Sequence, residues 1–142
     1  MGRISVEKAV KSLLSSGSWC ACNVVGTSFI PNSEKVLHYL QYLNSLPSDK
    51  DSSIYLRLEW EKDNPYDENA VKVYAKSNAF TGKKVKIGYV PKKLSCLFRY
   101  ILSSDSIVLN TTRPKFIGGE YPKRNIGVFF DWSIEEVHKN NG

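Results

Sequence analysis

The sequence predicts a mainly β domain with flanking helices, built on antiparallel sheet. Three observations point there. Six short stretches have strand-like patterning, most of them alternating apolar and polar residues. Polar turns separate them, and helical spacing of apolar residues marks the segments between the first and second strands and after the fourth. Strands are expected at residues 19 to 30, 54 to 61, 70 to 76, 84 to 90, 105 to 112 and 124 to 132.

In chain order, Ser5 caps a first helix over residues 5 to 16, with Val6, Ala9, Val10, Leu13 and Leu14 on one side and Gly17 at its stop. Trp19 to Ile30 reads as a strand, with Val24 and Val25 before Gly26 and Phe29 near its end. Pro31-Asn32-Ser33 opens a second helix in which Val36, Leu37, Leu40, Leu43 and Leu46 recur at helical spacing before Pro47. Residues 47 to 53 form a polar loop. Ile54, Leu56, Leu58 and Trp60 then alternate with Tyr55, Arg57 and Glu59, and after the turn from Asp63 to Ala70 a second alternating strand runs from Val71 to Lys76. Residues 77 to 84 make a hairpin-like connection to Val85–Tyr89, where Gly88 marks close approach by another backbone or a ligand. Pro91 suits a helix's first turn, and Leu94, Leu97, Phe98, Ile101 and Leu102 supply that helix with a core face. Strands at Ser106–Asn110 and Asn125–Trp132 follow, and the polar tail from residue 133 to 142 is expected to fray.

The 142 residues, 42% hydrophobic and 24% charged, suit one domain over residues 1 to 142 with its core at about 19 to 132. No apolar run reaches membrane-span length, and Arg3, Glu7, Lys8 and Lys11 interrupt any signal-peptide core, so an intracellular protein is expected, with no membrane partner. Cys20, Cys22 and Cys96 lack the spacing of a zinc site, His38 and His138 stand apart, and buried thiols are the better reading; no metal or cofactor is expected. The net charge of +6 is unevenly spread: residues 1 to 69 carry seven basic and nine acidic side chains, whereas residues 70 to 130 carry twelve basic and two acidic ones. A field concentrated in that way attracts a polyanion such as nucleic acid, although a solvated lysine-rich surface looks the same in sequence.

Two segments carry more than composition. The turn Asp63-Asn64-Pro65-Tyr66-Asp67-Glu68-Asn69-Ala70 has the Asn, Asp and Pro that turns need, but a tyrosine at its tip is superfluous for a bland connection. With its flanks, Leu58 to Val73 resembles the signature of the HIRAN family, and the match continues through Val85-Lys86-Ile87-Gly88-Tyr89-Val90-Pro91-Lys92-Lys93-Leu94. The resemblance implies an OB-like, six-stranded antiparallel barrel that binds single-stranded DNA at its 3′-hydroxyl end. Family members front fork-remodelling Swi/Snf-type translocases in DNA replication and repair, or stand alone in bacteria and phages. A monomer is expected, cytoplasmic if bacterial and nuclear if eukaryotic, with a helicase or nuclease acting in trans as a candidate partner.

The resemblance also assigns residues. Tyr66 would pack on the terminal base, and Asp67 would accept the 3′-hydroxyl, a sensible choice because a carboxylate welcomes a hydroxyl donor and repels a terminal phosphate. Phe29 would complete the base sandwich, the backbone N–H of Tyr89 would hold a phosphate, and Tyr121 would add a last aromatic. Lys92 and Lys93 sit at the start of a helix, where cations are unfavourable unless a phosphate comes near; a plain surface role fits them equally. Ser28 stands where the fork-remodelling relatives carry an arginine, and the helix between Pro31 and Pro47 is longer than theirs.

Other readings compete. Glu59, Glu61, Asp63, Asp67 and Glu68 crowd one region, as the carboxylates of a metal-dependent nuclease would, but no lysine accompanies them at the spacing of a nuclease motif and no catalytic Ser/His/Asp or Cys/His set is present. A binding module rather than an enzyme is expected. The stretch Arg113 to Arg124 interleaves basic residues with Phe116 and Tyr121, which suits a single-stranded ligand, a protein-interaction loop, or a hairpin with Phe116 tucked into the core.

Overall fold

The computed structural model describes residues 3–47, 53–80, 83–119 and 125–137. In order they form α1 (Arg3–Ser16), β1 (Cys20–Asn23), α2 (Ser33–Ser45), β2 (Tyr55–Trp60), β3 (Val71–Lys76), β4 (Lys84–Tyr89), α3 (Lys92–Leu102), β5 (Ile107–Thr111), β6 (Lys115–Gly118) and β7 (Ile126–Glu136). The helices fall where the apolar spacing places them, except that α1 already begins at Arg3, so Ser5 lies inside the helix and does not cap it; none of those described is long and apolar enough to cross a membrane.

The strands make two antiparallel sheets. One is β2-β3-β4. The other is centred on β7, with β1 along one edge and β5 and β6 in succession along the other. Alternation decides what each buries: Leu56, Val71, Val73, Ala75 and Ile87 point inward from the first sheet, and Ile126, Val128, Phe130, Trp132 and Ile134 from β7. Leu37, Leu40 and Leu43 of α2, Val6 and Val10 of α1, and Leu97, Phe98 and Ile101 of α3 close over them. Phe98 meets Trp132 edge to face, with ring centroids 4.7 Å apart.

The expected closed, six-stranded barrel is not what forms. Among the described residues there are seven strands in two sheets, and the barrel stays open. One seam is joined: beyond β1, Val24 still donates to the Val128 carbonyl (2.9 Å), and Val25 then crosses to β4, exchanging two 2.8 Å hydrogen bonds with Tyr89. Gly88 permits this crossing, because a Cβ there would overlap the Val25 carbonyl oxygen. At β6, α2 takes the place of a closing strand. Gln41 donates to the carbonyls of Phe116 (3.2 Å) and Gly118 (3.0 Å), and Asn44 to that of Pro114 (3.1 Å), so helix side chains satisfy an edge that would otherwise pair.

Three boundaries differ from expectation for local reasons. β1 is short because Gly26, at φ 71°, turns the chain into a single 3-10 turn over Thr27–Phe29. β6 lies inside the stretch read as a loop, with Phe116 packed against the core. β7 extends four residues past Trp132, since β5 pairs with it there and Ser133 and Ile134 are buried.

Candidate nucleic-acid interface

Where the crossing at Val25, the β2–β3 turn and the β4–α3 junction meet, they leave a cleft of about 720 Å³. Val25, Gly26 and Phe29 line it from the first, Asn64, Tyr66, Asp67 and Ala70 from the second, and Tyr89, Val90 and Lys92 from the third. That volume suits a small planar ligand or the end of a chain.

The turn is held from inside by one side chain. Asn64 Oδ1 accepts the backbone N–H groups of Tyr66 and Asp67, both at 2.9 Å, while its Nδ2 donates to Glu61 Oε1 at 2.9 Å. An asparagine that replaces backbone carbonyls in this way sets the direction of the two residues after Pro65. Asp67 Oδ1 in turn accepts the Asn69 N–H (2.9 Å), and Asp67 Oδ2 accepts the Ser95 hydroxyl of α3 (3.1 Å). A carboxylate offers about four lone-pair directions, so Asp67 retains capacity for a ligand donor.

A second layer braces the turn. Trp60 Nε1 donates to the Glu68 carbonyl (2.8 Å), the Arg99 guanidinium lies 4.2 Å from the Trp60 ring centroid, and Arg99 also donates to Asn69 Oδ1 (2.6 Å). On the other side, Glu61 accepts the Tyr89 hydroxyl at 3.0 Å and the Lys86 ammonium at 3.3 Å. Burial alone would raise the Glu61 carboxyl, but the hydrogen bonds from Asn64, Tyr89 and Lys86 outweigh it and hold the group below its ordinary value.

Within this hydrogen-bonded frame two rings are left bare. Tyr66 is 92% exposed and Phe29 86%, although both border the cleft. Apolar rings held in solvent on a braced turn and a tight 3-10 turn are suited to stacking on a flat ligand. Lys92 opens α3 beside them, where by helix geometry the first backbone N–H groups have no intrahelical acceptor, so positive charge gathers at one end of the cleft.

Phe29, Tyr66, Asp67, Tyr89 and Lys92 are therefore brought together as expected neighbours. Tyr89 enters differently from its expected role: its N–H is taken by Val25, and that of Val90 by Val71 (2.9 Å), so neither is open to a phosphate, and Tyr89 presents its ring instead. Lys93 is exposed but lies outside the cleft lining, on the side where its charge reaches the Cys22 thiol. Tyr121 lies outside the described residues. Ser28 borders a separate recess of about 350 Å³ with Ser33, Glu34, Leu37 and His38 and is not among the residues lining the cleft. Ser95 and Arg99 were not anticipated. The signal was a serine set among Leu94, Leu97 and Phe98 on the core face of α3, with Arg99 one turn further on.

Of the crowded carboxylates, two are held in ion pairs, while Asp67 serves the turn and Ser95. Glu59 pairs with Arg57 (3.3 Å) and Lys84, and Glu61 with Lys86 and Lys72. Among the described residues no three His, Cys, Asp or Glu groups come together as metal ligands would. All three cysteines are free, and burial pushes the Cys22 thiol up to about 11 despite Lys93.

A family model for the HIRAN domain matches residues 18–117, which include β1 to β5 and every described residue of the cleft. Neither the comparison with curated proteins nor that with solved structures finds a match.

Proposed function

The chain belongs to the HIRAN domain family, a family of DNA-binding domains, and from that premise we propose that its cleft receives the 3′-hydroxyl end of single-stranded DNA. The observation that carries this reading is the pair of bare rings, Phe29 and Tyr66, bordering one cleft with the Asp67 carboxylate. Unpaired bases expose flat faces that such rings stack on, whereas a duplex keeps its bases stacked on each other. Asp67 then accepts the terminal hydroxyl, and Lys92 with the start of α3 attracts the phosphate behind it. The charge distribution supports a polyanionic ligand, since the basic excess lies in residues 70 to 130.

Binding of labelled strands ending in a 3′-hydroxyl or a 3′-phosphate tests this directly. The hydroxyl end is expected to bind at least about tenfold more tightly, the scale of one charge-assisted hydrogen bond. Equal affinity for the two ends would leave a DNA-binding domain that does not read ends. A response unchanged by salt would count against phosphate contacts altogether.

A further inference from the structure

The outward face of the β2-β3-β4 sheet has a pattern that packing does not require. Antiparallel register sets its side chains in three cross-strand rows: Glu59-Lys72-Tyr89, Arg57-Tyr74-Lys86 and Tyr55-Lys76-Lys84. Each row holds one tyrosine and at least one cation. The tyrosine moves over by one strand from row to row, from β4 (Tyr89) to β3 (Tyr74) to β2 (Tyr55), so the three rings make a diagonal. Two-residue rise and inter-strand spacing put the Tyr74 and Tyr55 positions about 8 Å apart, and a register shift between Val73 and Tyr74 sets the Tyr89 row off from them.

The diagonal starts at the cleft, because Tyr89 is both a cleft wall and the first ring of the series. Cations crowd the rings: Lys84 Nζ stands 4.4 Å from the Tyr74 centroid, Lys72 Nζ 5.5 Å from the same ring, and Lys86 Nζ 4.4 Å from that of Tyr89. Among the described residues, Arg57, Lys72, Lys84 and Lys86 pair with two carboxylates, Glu59 and Glu61, and Lys76 shares the face with them, so ion pairing within it leaves a positive surplus. The reverse side of these strands is buried in the core, which leaves this side to solvent and to partners.

We propose that this face binds the nucleotides lying 5′ of the strand end, with bases on Tyr74 and Tyr55 and phosphates on the surrounding lysines and Arg57. The inference rests on the reading of the cleft as the seat of the 3′ end. The cleft alone holds the last nucleotides; the face extends the site along the strand. A protein partner with an acidic surface would also meet the cations, but it would not need a diagonal of rings.

Fluorescence anisotropy with 3′-hydroxyl strands of about three and about ten nucleotides tests the proposal. The longer strand is expected to bind at least about fivefold more tightly, with a steeper salt dependence. Tyr74→Ala and Tyr55→Ala should each reduce that gain while leaving the short strand's affinity and its hydroxyl preference as in the unmodified protein. If Tyr74→Ala does not fold, Tyr55→Ala and Arg57→Gln, both at solvent-exposed positions, serve in its place. A short strand bound end-selectively with no gain from length overturns the proposal and leaves the cleft reading intact. A length gain that persists in folded tyrosine variants also overturns it. Long strands held without end preference, and lost in the tyrosine variants, would uphold the face and overturn the cleft reading instead.

Discussion

The Oδ2 of Asp67 accepts the Ser95 hydroxyl at 3.1 Å, which ties the tip of the β2–β3 turn to the first turn of α3. Ser95 is 3% exposed, and its single proton is shared between Asp67 and the Lys92 carbonyl, 2.8 Å away. Ser95→Ala should cost about 1 kcal/mol in denaturant unfolding while leaving the Asp67 carboxylate available to a ligand. An unchanged unfolding midpoint would mean that the bond adds no net stability.

Asn64 and Tyr66 should separate stability from binding. Asn64→Ala removes one acceptor shared by two backbone N–H groups and one donor to Glu61, so it is expected to destabilise by about 1 to 3 kcal/mol and to weaken every strand alike. Tyr66→Ala, at a ring that is almost wholly exposed, should leave the melting temperature where it is and cost about 1 to 3 kcal/mol of binding. A stability loss in Tyr66→Ala, with affinity unchanged, would make the ring part of the packing.

Glu61 predicts an acid limb. Its folded-state carboxyl lies below the ordinary value of 4.5, so its contribution is fully present above that pH and is lost as pH falls through the lower folded value. The group is part-exposed and the effect correspondingly small. Unfolding measured from neutral pH down through the carboxylate range should show a shallower decline in Glu61→Gln, which keeps acceptor geometry but no longer titrates.

Much of this arrangement is legible in the residues. Alternation in Leu56-Arg57-Leu58-Glu59 and Val71-Lys72-Val73-Tyr74 places the first sheet, because one face of it is buried and the other wet. Gly88 signals a close approach, and Val25 is the approaching backbone. What is not legible depends on partners distant in sequence. Nothing in Gln41 or Asn44 announces that they will bond the carbonyls of β6 and leave the barrel open, and Pro114 with Gly118-Gly119 disguises a four-residue strand as loop. The same holds in the cleft. Tyr66 and Asp67 stand out in the sequence, whereas the bracing of their turn by Trp60 and Arg99, and the loss of the Tyr89 N–H to Val25, appear only in three dimensions.

Asp67 has two roles to disentangle, since Asp67→Ala would remove the Asn69 anchor together with any contact to a terminal hydroxyl. Asp67→Asn is the sharper test. Its side-chain oxygen can still accept the Asn69 N–H, and its amide can donate to Ser95 Oγ, whose proton then serves the Lys92 carbonyl. The turn is therefore expected to keep its stability to within about 0.5 kcal/mol. What changes is the charge. A neutral amide is a weaker acceptor for the 3′-hydroxyl, and it no longer repels a 3′-phosphate, so affinity for the hydroxyl end should fall by about 1.5 to 3 kcal/mol while affinity for the phosphate end holds or rises. Titration of both strands against both proteins, with melting curves alongside, reads the two effects separately. A variant that melts like the unmodified protein and keeps its full preference for the hydroxyl end would confine Asp67 to the turn.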